Sequence, residues 1–213
     1  RGMRQWWGDG SLSVVGTAGG VVSAPSVTTV PEGVLYVRAD GAGSRVNLPL
    51  LSSWTSTRNV GLLQTTAGGV VSVPSLVTLV SVRVPIDGES QFETGQWQRV
   101  QGCVVTVSGV AADLHSVSDL SRTSLTLSAG GTADLGGVSL ANEASIVVRD
   151  GVTLALPLLT EYDAGGSGWN LRLEAVGAGS RLELPALTTI RGMHYWWGDG
   201  SLSVVGTAGG VVS

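Results

Sequence analysis

Apolar residues alternate with polar ones in short runs on either side of glycine-rich turns, the period-two pattern of strands that bury one face. Before the turns, Leu35/Val37/Ala39, Leu125/Leu127/Ala129, Ile146/Val148 and Leu171/Leu173/Ala175 fall on the face expected to point inward. Tyr36, Arg38, Thr126, Arg149, Arg172 and Glu174 fall on the other. After the turns, Val46/Leu48, Val71/Val73, Leu154/Leu156 and Leu182/Leu184 repeat the inward pattern. Arg45/Asn47, Val70/Ser72, Thr153/Ala155 and Arg181/Glu183 point outward between them. An amphipathic helix would need apolar spacings of three and four, so the elements predicted are short strands.

A marker follows each strand pair: an apolar residue, Pro, any residue, then Leu or Val. It reads Ala24-Pro25-Ser26-Val27, Leu48-Pro49-Leu50-Leu51, Val73-Pro74-Ser75-Leu76, Leu156-Pro157-Leu158-Leu159 and Leu184-Pro185-Ala186-Leu187. Degenerate forms at Phe92-Glu93, Leu114-His115-Ser116-Val117 and Leu135-Gly136-Gly137-Val138 fill the gap. A third side runs from the Pro to an apolar residue three beyond the Leu or Val, as in Leu187-Thr188-Thr189-Ile190 and Val27-Thr28-Thr29-Val30. Three short sides close a coil, and stacked coils make a parallel β-helix, or β-solenoid, with about eight coils per 190 residues. Such a unit should advance roughly 38 Å, eight strand spacings of about 4.8 Å.

A longer repeat encloses the coils. RGMRQWWGDGSLSVVGTAGGVVS at 1–23 returns as RGMHYWWGDGSLSVVGTAGGVVS at 191–213, differing only at Arg4/His194 and Gln5/Tyr195. The expected organisation is one long unit over 1–190 and the start of a near-identical unit over 191–213, in a single solenoid without natural caps.

Composition agrees. Glycine is abundant at 32 residues, and all 12 basic residues are Arg. The net charge of -4 is spread along the chain, which argues against nucleic-acid binding. Every apolar run is interrupted well before the roughly 20 residues of a spanning helix. The single Cys103, flanked by alternating Val105 and Val107, reads as a buried thiol.

Together the coils resemble the right-handed parallel β-helix repeats of large secreted bacterial proteins, including filamentous adhesins and pectate-lyase-like proteins. The phrase Leu-Pro-Ala-Leu-Thr-Thr-Ile-Arg-Gly at 184–192 also resembles receptor L domains and leucine-rich solenoids, although a repeated Asn ladder and a helix per coil are missing. The resemblance implies an extracellular or cell-surface protein and names no ligand.

Two groups carry candidate chemistry. Trp6, Trp7, Trp54, Trp97, Trp169, Trp196 and Trp197 all follow a marker and are expected along one edge. There they would stack on sugar rings, anchor a partner, or fold back as small cores under the loops. Glu93, Asp113, His115 and Asp134 form the second group, with Asp113 and Asp134 at equivalent positions of adjacent coils and Glu93 and His115 in the Pro column. Carboxylates so placed repel unless a cation, an Arg or a shared proton intervenes, which would suit Ca2+ or acid/base work on a polysaccharide. A solvated polar face is the ordinary alternative.

The leading expectation is a non-enzymatic structural or adhesive segment of a fibre or stalk. Its partners would be further units of its own kind stacked end to end, with lateral filament contacts and a glycan or cell-surface partner as additions. A binding module using the Trp edge is the alternative, and a polysaccharide-processing β-helix enzyme the third reading.

Overall fold

The computed structural model describes residues 10–57, 60–166, 170–193 and 200–213. It is all-β with 0% helix, and its stacked parallel strands form a β-solenoid of about seven turns. No helix among the described residues is long and apolar enough to cross a membrane. Two compact units divide the chain: Arg1–Arg83 with Glu89–Glu93, and Val84–Gly88 with Thr94–Ser213.

In the first unit the coils run β1 (Ser11–Thr17), β2 (Val21–Ser23), β3 (Thr29–Val30); β4 (Val34–Asp40), β5 (Arg45–Asn47), β6 (Ser53–Thr55); β7 (Gly61–Thr66), β8 (Val70–Ser72), β9 (Thr78–Val80). The three sides stack as β1-β4-β7, β2-β5-β8 and β3-β6-β9. Val14 pairs with Val37 and Val37 with Leu63, so one inward residue stands over another. β10 (Val82–Ile86) begins here, with Val82 and Arg83 paired to Gly61 and Leu62.

The second unit continues with β11 (Arg99–Gln101), β12 (Val104–Ser108), β13 (Ala111–Asp113), β14 (Ser124–Ser128), β15 (Thr132–Asp134), β16 (Ser145–Arg149) and β17 (Thr153–Ala155). It ends with β18 (Glu161–Asp163), β19 (Leu171–Val176), β20 (Arg181–Glu183), β21 (Thr189–Arg191), β22 (Leu202–Thr207) and β23 (Val211–Val212). Its longest series is β12-β14-β16-β19-β22.

The predicted inward columns are buried: Leu35, Val37, Ala39, Val46, Leu48, Val71, Val73, Leu125, Leu127, Ile146, Val148, Leu154, Leu156, Leu171, Leu173, Ala175, Leu182 and Leu184, together with Cys103. Each fully buried Leu or Val contributes on the order of 1.5–3 kcal/mol relative to exposure. Ala129 departs from its expected place. It has left the strand for the turn, with φ 50, and is exposed.

The marker is a β-turn across the corner of the coil, with the amide of its fourth residue donating to the carbonyl of its first. Leu51 N–H reaches Leu48 at 3.1 Å, and Val117 N–H reaches Leu114 at 3.0 Å. Proline suits the second position because its φ is already set for the turn. The first and fourth residues point into the core, as at Leu48, Leu51, Leu156 and Leu159.

Eight strands, β1, β4, β7, β10, β12, β14, β16 and β19, each open a coil before β22 repeats β1 190 residues on, as the marker spacing leads one to expect. One part of the expected architecture changes. Three strands per coil fails around Leu114–Val117 and Leu135–Val138, where the third side is reduced to the single bridges Arg99↔Asp119 and Asp119↔Leu140.

Candidate functional site

Trp54 and Trp97, the two tryptophans that lie within the described residues, are fully buried. Trp54 is the residue three beyond Leu51, and β6 stacks it on Val30 and Leu79 of the neighbouring coils. Its indole N–H donates to Ser56 Oγ at 3.2 Å. Gly61 leaves room for the ring, since a Cβ there would stand 3.1 Å from it and 2.4 Å from Ser56 Oγ. Trp97 is the fourth residue of a marker turn, its amide donating to Thr94 at 3.0 Å. Neither indole presents a face to solvent, so the expected binding edge is corrected at these two positions: they are core. Trp6, Trp7, Trp169, Trp196 and Trp197 lie outside the described residues.

The same turn corrects Glu93. The corner runs Thr94-Gly95-Gln96-Trp97, so Gly95, two residues later than expected, takes the Pro position and Glu93 precedes it. Glu93 is exposed and belongs to the first compact unit, whereas Asp113, His115 and Asp134 belong to the second.

Within the second unit the expected stacking is present. β13 and β15 pair with Asp113 opposite Asp134, and His115 takes the second place of its turn, where Pro stands in other coils. Each carboxylate folds back on its own chain: Asp134 Oδ1 accepts Gly136 N–H at 3.1 Å, and Asp113 Oδ1 faces His115 N–H at 3.4 Å. Turns with Asp capping the amide two residues on explain this local geometry.

One connection was not legible beforehand. Asp113 Oδ1 lies 2.5 Å from His115 Nδ1, and Ser116 Oγ lies 3.0 Å from His115 Nε2. Because Leu114 points inward, Asp113 and His115 emerge on one side of the corner and Ser116 follows in the turn. The hydrogen bond to Asp113, followed by its charge, raises the His115 pKa above the ordinary 6.5, with Asp134 adding a smaller pull in the same direction. Asp113 is correspondingly held below 3.8, chiefly by the His115 side chain.

No protein-family model, curated protein or solved structure matches the chain.

The Asp113–His115–Ser116 connectivity orients an imidazole and gives its far nitrogen a hydroxyl partner, which is part of what a nucleophilic serine requires. The side chains of His115 and Asp113 are nevertheless 58% and 64% exposed. Water therefore reaches both partners, and the corner offers no dry environment to strengthen charges on a reacting group. Among the described residues, no three or more His, Cys, Asp or Glu side chains gather as a metal-binding set.

The rest of the outer surface carries short ion pairs along and between strands. Arg181–Glu183 lie 3.1 Å apart, and Arg191 reaches Glu161 of the preceding coil at 3.0 Å. Exposed pairs of this kind contribute little stability individually.

Proposed function

We propose that this chain is a structural or adhesive segment of an extracellular β-solenoid array, non-catalytic, whose units stack end to end through the edges of their parallel sheets. The observation that carries this reading is the recurrence of one coil sequence at a period of 190 residues with the same elements in both places. Residues 10–23 hold β1 and β2, and the identical residues 200–213 hold β22 and β23. A solenoid coil leaves a row of backbone donors and acceptors on each open edge, and another coil satisfies them.

The resemblance of the coils to β-helix repeats of secreted bacterial surface proteins supports a place outside the cell. Burial of Trp54 and Trp97 in the core removes two of the seven residues on which a glycan-binding edge would rely.

Equilibrium unfolding of chains carrying one, two and three consecutive 190-residue units tests the proposal. Stacked units share interfaces, so the midpoint and the denaturant dependence should both rise with unit number. A midpoint and slope that stay constant from one unit to three would overturn end-to-end stacking.

A further inference from the structure

The corner Leu114-His115-Ser116-Val117 differs from the other corners of the second unit in its surroundings as well as in what it carries. Its second place, His115, is flanked by glycine on both sides: Gly95 in the preceding corner and Gly136 in the following one. Its third place, Ser116, is followed by Gly137. Pro157 with Leu158, and Pro185 with Ala186, fill the same places further along.

The turns themselves do not call for glycine at 95 or 137, since neither has a positive φ. Close approach does. A Cβ on Gly95 would stand 2.7 Å from Asp113 Oδ2, and one on Gly137 would stand 2.6 Å from the His115 carbonyl oxygen. Oδ2 of Asp113 thus occupies the space that a side chain at 95 would take, while Oδ1 faces His115. On the other side the glycine pair leaves the ground beside Ser116 as bare backbone.

The direction of each hydrogen bond follows from the donors available. Asp113 is held below 3.8, so at neutral pH it is ionised and accepts only. Its contact at 2.5 Å therefore puts the imidazole proton on Nδ1. In the neutral ring this leaves Nε2 as an acceptor, and Ser116 Oγ, 3.0 Å away, donates to it. A hydroxyl that donates to an oriented imidazole can hand over its proton as it attacks.

Water reaches His115 and Asp113, so the corner lacks the exclusion that repeated hydrolysis uses. A single transfer asks less, because an activated acyl group carries its own driving force in its leaving group. The serine ester that results is less reactive than the donor.

We propose that Ser116 is an acyl-acceptor site, taking a short acyl group from an activated ester or thioester across the ground left open by Gly136 and Gly137. Ser116 Oγ forms the new bond to the acyl carbon as its proton passes to His115 Nε2. The bond from that carbon to the leaving oxygen or sulfur breaks, and the leaving group departs with the proton from Nε2, which restores the neutral imidazole. Asp113 stays ionised throughout and holds Nδ1–H. Gly95 acts through Asp113 as a positioning residue. The serine is consumed, which makes it an acceptor and not a catalyst, and the site is independent of whether units stack end to end.

The probe is p-nitrophenyl acetate on the full chain, with the acetylated residues located by mass spectrometry of peptides and circular dichroism showing that each variant keeps the fold. Ser116 should be acetylated about 100-fold or more faster than Ser139, an exposed serine of the next coil, which is the share a positioned base contributes. His115→Gln should abolish that advantage. Asp113 and, more weakly, Asp134 of the next coil are the charges that face His115, so the rate should rise with pH through a midpoint above 6.5. Asp113→Asn should bring the midpoint back towards 6.5. Gly95→Ala displaces the carboxylate while leaving the imidazole and the hydroxyl in place, and should shift the midpoint the same way. An unshifted midpoint in either variant would overturn the part assigned to that residue. Acetylation of Ser116 no faster than that of Ser139, or equally fast in His115→Gln, would overturn the acceptor site.

Discussion

Within the second compact unit, the coils that carry proline at the corner and those that lack it differ in what they conserve. Around Leu156-Pro157-Leu158-Leu159 and Leu184-Pro185-Ala186-Leu187 the third side forms a regular ladder, with Glu161–Asp163 paired to Thr189–Arg191. Around Leu114-His115-Ser116-Val117 and Leu135-Gly136-Gly137-Val138 it contracts to bridges through Asp119. Yet the corner itself is the same turn, and its first and fourth residues are buried in every one of these coils except at the end, where Leu187 is half-buried. The solenoid demands two apolar side chains per corner and a backbone able to turn. Proline at the second place is a convenience, and its position on the surface is where sequence is free to introduce His115.

The comparison is broken most severely if the buried corner residues are unequal. Trp97→Ala in a coil without Pro should destabilise by about 3–5 kcal/mol and Leu159→Ala in a coil with Pro by about 2–5 kcal/mol, measured by chemical denaturation. A loss below about 1 kcal/mol for Trp97→Ala would mean that these coils are held together differently.

A smaller effect sharpens the interchangeability of the second place. His115→Pro should shift stability by no more than about 1 kcal/mol, because a compatible turn position gains from the stiffer unfolded chain what it loses in the solvent-exposed contacts to Asp113. A strongly destabilised variant would show that His115 holds a conformation the proline corners do not share.

The smallest effect is electrostatic and local. The folded pKa of His115 is raised, so its interaction with Asp113 is fully present below the ordinary 6.5 and fades as pH rises through the folded value. The folded pKa of Asp113 is lowered, so its share is present above 3.8 and fades as pH falls through the folded value. An NMR titration of the His115 ring should therefore give a midpoint above 6.5, returning towards it in Asp113→Asn. An unchanged midpoint in that variant would show that the carboxylate does not hold the imidazole.

Much of this is legible in the sequence alone. Period-two alternation placed the inward columns, and the register that set Asp113 beside Asp134 is the register observed. Trp54 is expected on a binding edge, although it stands three beyond the marker Leu51, the apolar place that Leu79 and Tyr162 hold in their own coils. Its aromatic character drew attention away from its position. The marker pattern places Glu93 in the Pro column because, without Pro, nothing in Gln91-Phe92-Glu93-Thr94-Gly95 marks which residue turns the corner. The link from Ser116 to His115 depends on side-chain directions within one turn, which residue spacing does not encode. Alternation alone extends the strand to Ala129 because it cannot show where the chain enters the left-handed turn.

Electron microscopy of a chain of many consecutive units tests the stacking of these coils most directly. Thin fibres with an axial period of roughly 38 Å, eight strand spacings of about 4.8 Å, are the expected result. Separate particles joined by flexible segments, with no axial period in that range, would contradict it.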